Sequence, residues 1–289
     1  MSDPFKIDSP TCISFSGGRT SAYMLWRVLM SHGGQLPKDA VVCFANTGKE
    51  DEATLRFVRD CGLHWNVPIT WVEFQQEEPQ FKVVEFDTAS RNGEPFEAVI
   101  RKRNYLPNPV TRFCTSELKI RTMHKWLRAN WQALGWNAED MEWDQMIGIR
   151  ADEQRRVGKI RARGHSTETT KETMRMPLAD AQVTLNEIDQ FWSMQPFKLQ
   201  LPTVNGRTLA GNCDLCFLKP SNQVFTLIKE KPERAIWWAR MEALALSSKP
   251  SGAVFRSDRP NYAQMAEFAS KQADMFDQAE EGIACFCGD

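Results

Sequence analysis

TCISFSGGRTS, residues 11 to 21, places a short β-prone run directly before a pair of glycines. From Arg19 to Met30 the apolar residues Ala22, Leu25, Trp26 and Leu29 recur at helical spacing, and Gly33 and Gly34 close the segment. The pattern is strand, glycine turn, helix. It repeats downstream: AVVCFAN at 40 to 46 precedes a glycine turn and a helical stretch from Asp51 to Cys61, and ITWVEF at 69 to 74 reads as a third strand. Ser116 to Leu134 carries Ile120, Met123, Leu127, Trp131 and Leu134 on one helical face and stops at Gly135. A further strand, QMIGI at 145 to 149, ends in the charged loop RADEQRR. Strands alternating with helices predict an α/β fold: a parallel, doubly wound sheet with helices on both faces.

Residues 154 to 173 are rich in Arg, Lys, Thr, Gly and Glu without apolar periodicity, which predicts a mobile loop able to serve as a lid. Thr184 and Glu187 have the spacing of a capping box opening a helix through Phe191 and Trp192. Helices are then expected at 221–230, at 232–246 with Pro232 in the first turn, and at 262–280. The expected organisation is an α/β domain over residues 8–180 and a helical C-terminal region over 181–289.

The chain has 289 residues, enough for a full core, and 36 Lys plus Arg balance 37 Asp plus Glu. That near-neutral balance gives no global drive toward nucleic acid or an anionic membrane, so a polyanion must be met by a local site. No apolar run approaches the ~18 residues that span a bilayer. The start, MSDPFKIDSP, lacks the layout of a secretory signal, which predicts a cytoplasmic protein.

The loop SFSGGRTS at 14 to 21 lies where a phosphate site belongs. Gly17 and Gly18 permit close backbone approach to an anion, Ser16, Thr20 and Ser21 supply hydroxyls, Arg19 supplies charge, and the helix start contributes oriented N–H groups. The GxxxxGK spacing of a Walker A loop is absent.

Eight cysteines in a reducing compartment ask for an explanation other than disulfides. Cys12, Cys43 and Cys61 lie in apolar or helical contexts and read as core. Cys114, Cys213, Cys216, Cys285 and Cys287 are polar-flanked. Cys213 and Cys216 form a CxxC in the turn GNCDLCF, a pattern that binds zinc or iron or performs redox chemistry. A metal needs about four ligands. The four histidines, at 32, 64, 124 and 165, show no ligand spacing, so four-thiolate ligation drawn from the five polar-flanked cysteines fits best. Trp126, Trp131, Trp237 and Trp238 fall in helical patterns that predict core packing over base stacking. The basic KIRARGH at 159 to 165 reads as a solvated loop.

SFSGGRTSAYML resembles the PP-loop of the adenine nucleotide α-hydrolase group, whose signature is SGGxDS after the first strand. FANTGKE at 44 to 50, RFCTSELK at 112 to 119 and GIRADE at 148 to 153 resemble, in order, motifs of its phosphoadenylyl-sulfate (PAPS) reductase branch. The resemblance implies that Ser16, Gly17, Gly18 and Ser21 bind a phosphate or phosphosulfate. Asn46, Thr47, Gly48 and Glu50 would border the adenosine, while Arg112, Lys119 and Arg150 neutralise anionic oxygens. Thr20 replaces the signature Asp, which weakens an ATP-splitting reading more than a sulfonucleotide reading. Cluster-bearing reductases of this branch use an adjacent Cys pair plus CxxC; here Phe113-Cys114 replaces that pair.

The resemblance further implies that Cys285 or Cys287 of the tail IACFCGD attacks the sulfate sulfur, with thioredoxin or another thiol reductant completing the cycle. Alternatively one tail thiol is the fourth ligand of a four-iron cluster, with zinc as the alternative metal, or the cluster keeps an open iron site. The nucleotide is then PAPS, APS or ATP. Two other classes stand beside the reductase reading: an ATP-dependent sulfurtransferase or nucleic-acid-modifying PP-loop enzyme, with nucleic acid as acceptor, and a non-enzymatic, metal-stabilised nucleotide-binding protein.

Overall fold

The run at 11–14 is a strand with partners on both sides, and the sheet is built around it. The computed structural model describes residues 3–136, 141–204, 207–248 and 252–271. In chain order β1 (Thr11–Ser14), α1 (Arg19–Ser31), β2 (Ala40–Asn46), α2 (Glu52–His64) and β3 (Ile69–Glu73) alternate. Next come β4 (Lys82–Val84) and α3 (Glu94–Arg103). A helical segment follows, made of α4 (Phe113–Thr115), a π-helical stretch at Ser116–Arg121, and α5 (Thr122–Asn130). Then come β5 (Trp143–Ile147), α6 (Gln154–Arg163), β6 (Glu172–Arg175), α7 (Pro177–Asp180) and α8 (Leu185–Ser193). The ribbon β7 (Thr203–Val204) and β8 (Arg207–Thr208) precedes α9 (Ser221–Glu230), α10 (Arg234–Ser248) and α11 (Tyr262–Lys271).

The sheet has the order β4-β3-β2-β1-β5-β6, and all pairs are parallel except the β3–β4 edge. β1 pairs with β2 (Ser14 opposite Cys43) and with β5 (Ser14 opposite Ile147). From β1 the chain winds outward through β2 and β3, then returns to place β5 on the other side of β1. The carboxyl end of β1 is therefore the point where strand order reverses, the usual ligand position in open α/β sheets.

Both faces are covered, which explains the nearly continuous apolar run of β2. Ile13, Val42, Phe44 and Met146 pack with Leu25 and Val28 of α1 and Leu55 and Val58 of α2. The alternate residues Cys12, Cys43, Val72 and Trp143 pack on the opposite face with Met123, Trp126 and Leu127 of α5 and with Trp131. Cys12, Cys43 and Cys61 are fully buried, and Trp126, Trp131, Trp237 and Trp238 are core residues, as expected. The buried residues of α9, α10 and α11 belong to the same cluster as the α1–α2 face. Among the described residues no helix is long and apolar enough to cross a membrane.

Four local expectations are corrected. Residues 154–173 do not form a loop: α6 occupies 154–163 and β6 begins at Glu172. Val157 and Ile160 anchor α6 in a small cluster with Ile149, Met176 and Ala179, so two buried apolar residues suffice where the rest of the helix is cationic. The Thr184–Glu187 box does not form. Thr184 is the N-cap residue of α8 without a side-chain bond, and Glu187 instead accepts from Tyr23 Oη and Arg27 Nη1, tying α8 to α1. Helix α10 starts at Arg234, leaving Pro232 just ahead of it. The helix expected from 116 to 134 begins with a π stretch and ends at Asn130; Thr122 Oγ1 donates to the Glu117 carbonyl at 2.8 Å within it. Beyond Lys271, the helix expected to 280 lies outside the described residues.

Candidate functional site

Gly17 has φ +78°, and a Cβ there would stand 2.6 Å from Thr54 Cγ2 and 3.3 Å from Phe44 Cε2, so both conformation and space require glycine. The turn is pinned from within. Ser21 Oγ accepts from the Ser16 N–H (3.1 Å), lies 2.9 Å from Ser16 Oγ and donates to the Gly18 carbonyl (3.0 Å). Gly148, just past β5, packs against Ser21: a Cβ on it would stand 3.0 Å from Ser21 Cα. The GIRADE loop is thereby held against the start of α1. Arg150 Nη1 donates to Thr20 Oγ1 at 3.3 Å and its Nε to Asp152 at 2.9 Å, bringing two of the expected residues together. Arg19 makes an ion pair with Asp189 of α8 (2.6 Å), and its carbonyl accepts from Trp192 Nε1. Beneath the loop a water-sized space of about 20 Å³ is bounded by Gly17, Gly18, Thr20, Thr54, Arg150 and Asn212.

On the other side of Ser16 and Ser21 opens a cavity of about 400 Å³, on the α5 face of the sheet. Its floor is formed by β5 and β6, one wall by residues 109–123 and the other by α6 and the loop after it. Among the described residues five cations line it: Arg112 and Lys119 on the first wall, Arg156, Lys159 and Arg163 on the second. Glu172 is the lone carboxylate on that lining among the described residues, and it lies beside His124 (3.0 Å). Arg156 also pairs with Glu153, and Arg163 Nε donates to the His165 carbonyl at 2.6 Å. Ile120, Met123, Ile147, Ile160 and Met174 supply apolar surface between the charges. A cavity with cationic walls and apolar surface between them, at a strand-order reversal, suits a ligand with a flat apolar body and anionic groups.

Near the first wall Glu117 is buried beneath Arg103, Lys102 and Arg121. Burial alone would raise its carboxyl, but Arg103, Lys102 and Arg121 together outweigh burial and hold it below the usual carboxylate range. This anchors the π stretch that carries Lys119.

Asn46, Thr47, Gly48 and Glu50 are not on the cavity lining. Asn46 is fully buried and spends its amide on Glu73 Oε1 (2.6 Å) and the Ser90 carbonyl (2.9 Å). The Glu50 carboxylate accepts from the Thr47 N–H and hydroxyl at 2.8–2.9 Å. Glu50 and Cys213 form an antiparallel bridge, and the Asp214 N–H donates to the Lys49 carbonyl at 2.7 Å. Lys49 and Asp214 make a buried ion pair at 3.1 Å, completed by Trp238 Nε1 donating to Asp214 and by the Trp237 ring beneath Lys49. The NTGKE turn is thus the socket for the CxxC turn.

Cys213 Sγ lies 3.5 Å from Thr47 Oγ1. Burial is the main cause that pushes its thiol far up, and the charge of Glu50 adds to it; Lys119 and the Thr47 hydroxyl act in the opposite sense, and Cys114 adds a further rise. Cys114, Cys213 and Lys119 therefore share one neighbourhood at the edge of the first wall. Cys216 is buried in the main core. Among the described residues no group of three or more His, Cys, Asp or Glu side chains is arranged to hold a metal ion. The described thiols alone do not fit a four-thiolate cluster. Cys285 and Cys287, the remaining expected ligands or nucleophiles, lie outside the described residues.

Sequence reading missed Arg156, Lys159 and Arg163, which share one side of α6. The spacing 156, 159, 163, with Val157 and Ile160 beside it, was the available signal. Gln145 and Glu172, inside strands, carried none.

No family model matches the chain. It is 30% identical over 230 residues to the uncharacterized nin region protein ORF290 of Escherichia phage lambda, a match covering 76% of this chain and 69% of the phage protein. With that identity over most of both sequences, the chain belongs to the family of the phage lambda nin region protein.

Proposed function

We propose that the chain is an adenine-nucleotide-binding enzyme of the PAPS reductase type, acting on a sulfonucleotide. The observation that carries this reading is the cavity at the reversal of strand order, bounded by the Ser16–Ser21 turn and lined by five cations. In this reading the phosphosulfate lies by Ser16 and Ser21, and Arg112 and Lys119 take up the charge that grows on the departing nucleotide phosphate. A tail thiolate, from Cys285 or Cys287, attacks the sulfate sulfur. The sulfur–oxygen bond breaks with its electron pair leaving on the nucleotide phosphate, and a cysteine thiosulfonate forms. An external dithiol such as thioredoxin then attacks the thiosulfonate, is oxidised to its disulfide and releases sulfite.

Calorimetric titration of the full chain with PAPS, APS and ATP tests the binding step, and sulfite release with reduced thioredoxin tests the chemistry. The expected result is binding of PAPS or APS ahead of ATP, with sulfite formation lost in Cys285→Ser or Cys287→Ser. Pyrophosphate release from ATP without sulfite formation would replace this reading with the adenylating one.

A further inference from the structure

Two buried polar atoms of the cavity lining, Gln145 Nε2 and Glu172 Oε2, lack hydrogen-bond partners, as does His124 Nε2 beside Glu172. Gln145 and Glu172 are on the lining, at 3% and 2% exposure, and Met123, next to His124, lines it too. His124 Nε2 approaches Glu172 Oε2 at 3.0 Å but not in hydrogen-bonding geometry. Trp143 Nε1 donates to Gln145 Oε1 at 3.4 Å, which fixes the orientation of the amide and leaves Nε2 as the open donor. Buried polar groups are rarely left unpaired, and a carboxylate accepts only, whereas the amide NH₂ donates only.

The position of these atoms is as informative as their chemistry. Ser14 lies level with Ile147 at the mouth, whereas Glu172 pairs with Trp143 four residues back along β5. At the rise of a β-strand Glu172 therefore starts about 13 Å, and Gln145, two residues back, about 7 Å, below the strand end. Ser16 and Ser21 line the same cavity as Gln145 and Glu172, so a nucleotide with its phosphate at the turn has room for its base toward them. Between the two ends the lining is apolar, with Ile120, Met123, Ile147 and Met174 available to the faces of a ring.

We propose that Gln145 and Glu172 are specificity-determining residues that read the hydrogen-bonding edge of the base, Glu172 accepting from the exocyclic amino group of adenine and Gln145 donating to the adjacent ring nitrogen. This inference rests on the nucleotide reading above and assigns the base end of the same cavity.

The test is calorimetric titration of the full chain with three ligands: adenosine diphosphate, its analogue lacking the exocyclic amino group, and inorganic pyrophosphate. The wild-type chain is expected to bind adenosine diphosphate about tenfold or more tightly than the deaminated analogue, the scale of one hydrogen bond to a charged group. In Glu172→Met that preference falls to near parity while pyrophosphate affinity is unchanged. Equal binding of the two nucleotides by the wild type overturns the inference and needs no variant to fold. A preference that survives in a folded Glu172→Met chain overturns it as well. Failure of all three ligands to bind instead removes the nucleotide reading itself, and the inference with it.

Discussion

Gly17 and Gly33 separate two reasons for glycine. Both have positive φ, +78° and +70°, but only Gly17 is surrounded: nothing lies within 4 Å of a Cβ at Gly33. Gly33→Ala therefore carries conformational strain alone, of about 1 kcal/mol or somewhat more, whereas Gly17→Ala adds the collision with Thr54 and Phe44. Urea denaturation is expected to show the larger loss for Gly17→Ala, accompanied by weaker nucleotide binding, and near-equal losses would contradict the packing around the turn. Residue chemistry also explains why Asn46, Thr47 and Glu50 are hydrogen-bonded within the protein. Polar side chains at a strand end look alike in sequence whether they face a ligand or another turn of the same chain. Here Asp214 and Cys213 arrive from the C-terminal region and use them.

At the scale of elements, α6 decides the character of the cavity. Its ten residues, QRRVGKIRAR, hold five cations and no acid, and only Val157 and Ile160 are buried. The helix is amphipathic in an unusual sense, one side apolar toward a small cluster and an adjoining side cationic toward the cavity. Lys159→Gln and Arg163→Gln are each expected to weaken binding of an anionic nucleotide by about tenfold, as loss of a charge-assisted contact does. Arg155→Gln is a fitting control, because Arg155 is exposed and off the cavity lining. Titrations of these variants at two salt concentrations check the assignment: equal effects of all three would point to a diffuse surface field. The π stretch plays a complementary part, since Glu117 and its three cations hold the opposing wall.

At the scale of the molecule, the C-terminal helices are fastened by buried polar groups within the common core. Glu242 accepts from the Phe255 and Tyr262 N–H groups (3.2 and 2.7 Å) and thereby closes the loop between α10 and α11. Burial is the main cause that raises its carboxyl above the ordinary 4.5, against those two N–H groups and Arg259, which act to lower it. A carboxyl raised on folding holds its proton more tightly in the native state. Its contribution is therefore fully present below the unfolded value and is lost as pH rises through the folded one. Glu242→Gln keeps an acceptor for both N–H groups and removes the titration. The stability difference between wild type and Glu242→Gln is expected to shift in favour of the variant as pH rises from 4.5 toward neutrality. Parallel pH–stability curves would refute this.

The sequence alone determined the alternation of strands and helices, the rigid Ser16–Ser21 turn and the core role of Cys12, Cys43 and Cys61, because periodicity and glycine placement are local properties of the chain. Arg112, Lys119 and Arg150 were singled out only by the resemblance of their motifs to the PAPS reductase branch; Arg112 and Lys119 lie on the cavity lining and Arg150 lies against Thr20. The tertiary structure alone decided which charges meet. Arg19 pairs with Asp189 from 170 residues away, the Asn46 amide is taken up by Glu73 and Ser90, and Lys49 and Glu50 meet the CxxC turn. The base-reading pair Gln145 and Glu172 exists only because β5 and β6 lie side by side. Near-zero net charge hid a cavity lined by five cations, since net charge sums over the chain whereas a site depends on which side chains the fold brings to one place.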